Sequence, residues 1–428
     1  MGADLQADCE AEPGGHRKQM SRAHDKLAAL PGVRPIRRPV CPASADEFDL
    51  YYVRCGRKSN CPLLVIPGGP GAASVALYRG FRRRAAAAGL DVIMVEHRGV
   101  GLSRRDDRGA DLPPDALTID QVVDDIAAVL DDAGVRKALV YGTSYGSYLA
   151  AGVGVRHADR VHAMVLDSPV LSARDIDDVR AATRRLLWDG DDPDGADLAP
   201  KVRSLVEDGV FTPAAVQLTA TLYGVAGPDV LGRQLDLLLR GRRGVWRTLD
   251  TAARLLFERK APYRHEPDLV GRIGYRELNF AADPDGEPLD PALAYHDHAT
   301  TAFEREPYDL AVAMPGFDWP TIVLSGGRDL ITPSSVAYRA AALLPDAVLV
   351  ELPTAGHSIL DFRERVSLRV AEALYGGRHH ELPSRSAELD ALPPRLPVRA
   401  LRWGLDLAAA VESTLPEAIP ATVRRATS

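Results

Sequence analysis

The chain has 428 residues, 46% of them hydrophobic and 26% charged, with a formal net charge of −7. That composition is ordinary for a soluble globular protein, and its acidic balance gives no electrostatic case for a nucleic-acid partner. No apolar run reaches the roughly 18 residues a membrane span needs, and the length suits one large domain carrying an insertion.

The first stretch, Met1–Met20, is polar and holds Asp4, Asp8, Glu10 and Glu12. It lacks the apolar segment of a secretory signal, so the expected location is cytoplasmic. The four cysteines, Cys9, Cys41, Cys55 and Cys61, match no zinc spacing. A Cys55–Cys61 bridge across a short turn is one arrangement; reduced thiols are the expectation for the cytoplasm.

Short apolar runs rich in β-branched residues then recur at Leu63–Ile66, Val92–Val95, Ala138–Tyr141 and Met164–Leu166. Helical patterns separate them. The clearest helix starts where Thr118 and Gln121 form a capping box. Its apolar positions Ile119, Val122, Val123, Ile126, Val129, Leu130 and Ala133 trace one face, and Gly134 stops it. Strands alternating with helices predict an α/β fold, a mostly parallel sheet with helices on both faces.

The alternation stops near Ser172. Helical patterns fill Asp175–Trp188, Ala214–Val225, Val230–Arg240, Val245–Arg259 and Pro267–Phe280 before strands resume at Thr321–Leu324 and Val348–Leu352. A helical block of that size exceeds any normal connection and reads as an inserted lid. The predicted organisation is an N-terminal extension (1–44), a core (45–171 and 318–377), a helical lid (172–317) and a C-terminal tail (378–428). One amphipathic helix in the tail puts Val398, Leu401, Leu405, Ala408, Val411 and Leu415 on a face expected to pack on the core. Its polar face is not basic enough for a membrane surface.

Chemistry concentrates at the strand ends. Gly142-Thr-Ser-Tyr-Gly146 follows an apolar strand and precedes small helical residues, so Ser144 is a candidate nucleophile on a strained strand-to-helix turn. The flanking glycines let strand and helix approach closely. With 36 glycines in the chain, this pattern arises by chance often enough that the setting has to decide. Asp329 follows Thr321–Leu324 in Ser-Gly-Gly-Arg-Asp-Leu-Ile-Thr-Pro, where Thr332 and Pro333 read as the N-cap and first residue of a helix. His357 follows Val348–Leu352 in Thr-Ala-Gly-His-Ser. A serine needs a base to take its proton, and the base needs an acid to orient it. Singly, each residue has a bland explanation: a helix-capping carboxylate, a solvated loop histidine. Together, in this order and at strand ends, they read as a catalytic set.

Pro67-Gly-Gly-Pro-Gly71 directly follows Leu63–Ile66 and can aim a backbone N–H at a developing oxyanion. It has neither phosphate-binding glycine spacing, which disfavours a nucleotide. Glu96-His-Arg-Gly-Val-Gly-Leu-Ser103 reads mainly as loop anchoring, and His296-Asp297-His298 as surface polar residues rather than metal ligands. No metal and no organic cofactor is expected.

These segments resemble the proline iminopeptidase and tripeptidyl aminopeptidase group of α/β-hydrolases, across about residues 45–171 and 318–375. The resemblance implies an α/β-hydrolase fold, a Ser144–Asp329–His357 triad, oxyanion N–H groups from Gly69 and Tyr145, and a lid over the cleft. It also implies a lid glutamate for the substrate's α-amino group, for which Glu277 in Tyr-Arg-Glu-Leu-Asn-Phe is the candidate. Proline iminopeptidases usually carry His where this chain has Pro67, and the tripeptidyl enzymes carry Pro. The expected function is an intracellular aminopeptidase on short peptides, with a small-molecule or short-peptide substrate as its partner. The alternatives are an esterase or lactonase on an apolar metabolite and a non-catalytic ligand-binding homologue. A pure binder has no chemical need for all three triad residues.

Overall fold

Strands without a polar side chain belong where both faces of a sheet are covered, and the two shortest runs behave so: every residue of Leu63–Ile66 and Val92–Val95 is buried. In the computed structural model, which describes residues 22–42, 44–257, 260–296 and 298–414, they are β3 and β4 of an eight-stranded sheet. The others are β1 (Val33–Pro39), β2 (Glu47–Cys55), β5 (Ala138–Thr143), β6 (Val161–Asp167), β7 (Thr321–Gly326) and β8 (Ala347–Leu352). Their order is β1-β2-β4-β3-β5-β6-β7-β8. The pairs β1–β2 and β2–β4 are antiparallel, and the rest are parallel.

β1 lies inside the segment read as an N-terminal extension, so the sheet begins earlier than the sequence boundary at residue 45. Its sequence, Val-Arg-Pro-Ile-Arg-Arg-Pro, conceals it. An edge strand tolerates Pro35 and Pro39, and its exposed arginines break the apolar alternation. Met1–Met20 and Cys9 lie outside the described residues. Cys41, Cys55 and Cys61 are free thiols.

Helices cover both faces. α1 (Ile119–Asp132) and α2 (Tyr145–Arg156) bury Val123, Ile126 and Leu149 against one; Phe81 and Val370 belong to the core on the other. Thr118 caps α1 as its side chain accepts from the Gln121 N–H at 3.2 Å. Gln121 does not return the bond; its amide N–H donates to the Asp115 carbonyl instead.

Between β6 and β7 the helical insertion, the segment expected to be a lid, forms its own core from Leu186, Leu198, Val216, Leu231 and Leu235. Its helices include α3 (Pro213–Ala226), α4 (Pro228–Leu239), α5 (Gly244–Phe257) and α6 (Pro267–Leu278). α7 (Ser334–Leu343) returns the chain to the sheet, and α8 (Leu396–Thr414) closes the described residues. α8 corrects an expectation: Leu405 joins the lid's core rather than the sheet's. Leu405 and Ala409 are its buried apolar residues, while Leu401 and Val411 stay 49% and 54% exposed. Leu415 lies outside the described residues. Among the described residues no helix is long and apolar enough to cross a membrane.

Candidate active site

The turn from β5 into α2 is built by the absence of side chains. A Cβ on Gly142 would strike the Gly146 carbonyl and the Ala150 methyl, and one on Gly146 would strike the carbonyls of Ile66 and Pro67. Both glycines therefore permit strand, helix and neighbouring turn to touch. Between them Ser144 holds φ 54° and ψ −128°, a conformation costing about 1–3 kcal/mol that the surrounding structure has to enforce. Its N–H donates to the Asp167 carbonyl at 2.9 Å. Its carbonyl accepts from the Ser147 hydroxyl at 2.6 Å, and that hydroxyl in turn accepts from the Val170 N–H.

The loops after β7 and β8 bring the other two residues to it. His357 Nε2 lies 2.9 Å from Ser144 Oγ, and His357 Nδ1 lies 2.9 Å from Asp329 Oδ2. Asp329 is buried, and its Oδ1 accepts from the N–H groups of Ile331 and Thr332, both at 2.9 Å. Burial by itself would raise the Asp329 carboxyl, but the imidazole beside it and those N–H donors outweigh burial and hold it below the usual carboxylate range. Burial likewise works to lower His357, and Asp329 outweighs it, so the imidazolium is favoured and its pKa is raised. The serine, base and acid found by order in the chain are therefore brought into one hydrogen-bonded line.

Thr332 was missed in this role. Its hydroxyl donates to Asp329 Oδ2 at 2.9 Å and lies 3.2 Å from His357 Nδ1. With the hydroxyl so engaged, the N-cap of α7 moves one residue on, to Pro333, correcting the reading of Thr332 as cap and Pro333 as first helical residue. The signal was available: a hydroxyl three residues after a loop aspartate is placed to bond back to it.

The Pro67–Gly71 turn lies over the serine. A Cβ on Gly68 would sit 3.2 Å from Ser144 Cβ, and Gly69 holds φ 134°, where an added Cβ would meet the Gly71 nitrogen at 2.7 Å. Tyr145 is the first residue of α2, so its N–H has no intrahelical partner. Among the described residues neither Gly69 nor Tyr145 gives its N–H to an acceptor.

The lid clamps this turn. Ala73 N–H donates to the Arg264 carbonyl and Glu266 N–H to the Gly71 carbonyl, both at 2.9 Å. The Glu266 carboxylate accepts from Gly101 N–H at 2.5 Å. Beyond Gly101 the buried Glu96 accepts from the N–H groups of Val75 and Leu102. Burial pushes the Glu96 carboxyl up to about 7, with the neighbouring Glu266 adding to the effect. Arg98 closes the same loop through a bidentate pair with Asp125 at 2.7 and 2.8 Å. This segment anchors the loop, as its residue types suggested.

Glu277 is neither a solvated helix-face carboxylate nor an open one. It is 7% exposed. Its Oε2 accepts from Ile119 N–H, the first of α1, at 2.8 Å, and its Oε1 from Arg276 at 2.7 Å. Burial raises its carboxyl against those donors. Asp297 lies outside the described residues. Asp346, His379 and His380 group three possible metal-ligand atoms, at the opposite end of β8 from His357.

Residues 62–198 match the family model of the α/β hydrolase fold. A probable proline iminopeptidase of Leptolyngbya boryana is 22% identical over 342 residues, which are 77% of this chain and 91% of that protein. A rhodomycin D methylesterase of a Streptomyces species is 25% identical over 317 residues, 73% of this chain and 90% of that protein. The crystal structure of a proline iminopeptidase from Mycobacterium smegmatis aligns with a TM-score of 0.50 at 18% identity, covering 81% of this chain and 99% of that one. With a mostly parallel eight-stranded sheet and a helical insertion between β6 and β7, this chain carries the α/β-hydrolase fold.

Proposed function

We propose that this protein is a serine hydrolase working through an acyl-Ser144 intermediate, and that it acts as an aminopeptidase on short peptides. The observation that carries the chemistry is the relay of two 2.9 Å contacts from Ser144 Oγ through His357 to Asp329. Ser144 Oγ attacks the substrate carbonyl as His357 Nε2 takes its proton. Asp329 stabilises the imidazolium at Nδ1. The N–H groups of Gly69 and Tyr145 receive the negative oxygen of the tetrahedral intermediate. Collapse expels the amine, which takes the proton back from His357, and water repeats the sequence to free the acid and Ser144.

The peptide substrate is supported by the relatives named proline iminopeptidase, and in this reading Glu277 receives the substrate ammonium. A carboxylate offers about four acceptor sites, so Glu277 can share an oxygen with Ile119 or Arg276. A second reading, hydrolysis of an ester or lactone, is favoured by the same residue: both its oxygens already serve the protein. The methylesterase relative fits that reading. A fluorophosphonate tests the common chemistry and should label Ser144; protein left unlabelled overturns it. Turnover of proline and alanine arylamides against p-nitrophenyl esters separates the substrates. Ester turnover without arylamide turnover removes the aminopeptidase.

A further inference from the structure

Behind the triad loops lies a cavity of about 380 Å³ that the reaction does not use. Its walls include the backbone beside Asp329 and His357, the lid helix α3, the Phe362–Arg363 turn and the C-terminal helix α8. Arg328 and Gly356, each immediately before a triad residue, line it, and Gly224 of α3 lies against Gly356. α8 supplies Arg399, Arg402 and Trp403.

Among the described residues, cations outnumber carboxylates in its lining. Four guanidinium groups, those of Arg328, Arg363, Arg399 and Arg402, line it against one carboxylate, Asp406. Asp406 already pairs with Arg233 on α4. Arg363 donates to the carbonyls of Asp390, Leu392 and Thr354 and to the Thr354 hydroxyl. The Asp390 carboxylate nearby is itself engaged by Thr354. Among the described residues no carboxylate pairs with Arg328, Arg399 or Arg402. Burial lowers the Arg363 pKa, the neighbouring Arg328 and Arg402 lower it further, and Asp390 works to raise it. Guanidinium forks match planar oxyanions bidentately. Trp403, 68% exposed, and Phe362 add aromatic surface beside them.

We propose that this cavity binds a small multivalent oxyanion, carrying carboxylate or phosphate groups, that ties α8 and the lid to the loops bearing Asp329 and His357. The bound anion replaces the missing counter-charge, and its site is separate from Ser144.

The test is calorimetric titration of the full chain with citrate and with pyrophosphate at constant ionic strength, with thermal melting alongside. The two anions distinguish carboxylate from phosphate recognition. Either should bind with sub-millimolar affinity and raise Tm, and the double substitution Arg399→Ala/Arg402→Ala should weaken binding by about tenfold or more. Both arginines are on an exposed helix face, and circular dichroism checks that the variant folds. Arg83→Ala, an exposed arginine far along the chain from the cavity segments, should bind as the parent does. Absence of binding for both anions overturns the proposal. So does an equal Tm rise in the double variant, because excluded anions stabilise any protein without a site.

Discussion

The strand-end loops meet Ser144 while the lid segment 261–278 holds the neighbouring Pro67–Gly71 turn, and they spend their charged groups in opposite ways. After β7 and β8, Asp329 and His357 are arranged in series, each handing its bonding capacity toward Ser144 Oγ. In the lid, Glu266 and Glu277 turn theirs onto the N–H groups of Gly101 and Ile119. The first arrangement leaves one end of a hydrogen-bonded chain open to a reacting carbonyl. The second turns its carboxylates onto backbone N–H groups of the protein, and the same segment is hydrogen-bonded to the Pro67–Gly71 turn. A carboxylate near a nucleophile is thus no guide to its role until its acceptor sites are counted.

The largest effects should come from the series side. Ser144→Ala should cost about 10,000-fold or more in kcat on any substrate turned over, and abolish fluorophosphonate labelling. Asp329→Asn should cost about 10,000-fold, because the imidazole loses its tautomer partner. Retention of activity by either variant would break the distinction between the two regions.

The pH profile tests the same side. His357 works as a base only when neutral, so kcat/KM should rise with pH through its ionisation. Asp329 raises that pKa, placing the midpoint of the acid limb above an imidazole's ordinary 6.5. The residual activity of Asp329→Asn should show its midpoint displaced to lower pH.

The difference between the regions also explains what the amino-acid sequence made legible. Ser144, Asp329 and His357 each follow a strand with an apolar run at its centre; β5 and β7 are buried throughout, and even the edge strand β8 keeps Val348, Val350 and Leu352 buried. β3 and β4 have the bounds the sequence predicted, and β7 and β8 differ from it by one or two residues. β1 was hidden because an edge strand needs no such run. The contacts of Glu266 and Glu277 were hidden for another reason: they depend on how the lid is set against the core, which no local pattern encodes. α8 shows the same limit, since its periodicity announced a helix while the lid surface chose Leu405 and Ala409 as the buried face.

On the lid side the effects should be smaller. Glu277→Gln keeps the shape and an acceptor for Ile119 but leaves the buried Arg276 without its counter-charge, a loss of about 1–3 kcal/mol in stability. Where a substrate ammonium shares this carboxylate, kcat/KM on alanine arylamide should fall about tenfold further than on an ester of similar size. Equal falls would assign Glu277 to holding the lid alone, and would move the substrate reading to esters.

Thr332→Val should give the smallest effect and the most informative sign. Valine matches the threonine in shape, so the loop keeps its packing and Asp329 keeps the N–H groups of Ile331 and Thr332. What is lost is the hydroxyl donor to Oδ2, the oxygen that faces His357 Nδ1. A carboxylate with one donor fewer concentrates its charge on the imidazolium, raising the His357 pKa further. The acid limb should therefore move to higher pH, opposite to its displacement in Asp329→Asn, with kcat at high pH reduced by less than about tenfold. A shift in the same direction as Asp329→Asn would mean that Thr332 holds Asp329 in place rather than tuning it, and the series arrangement would then rest on packing as much as on charge.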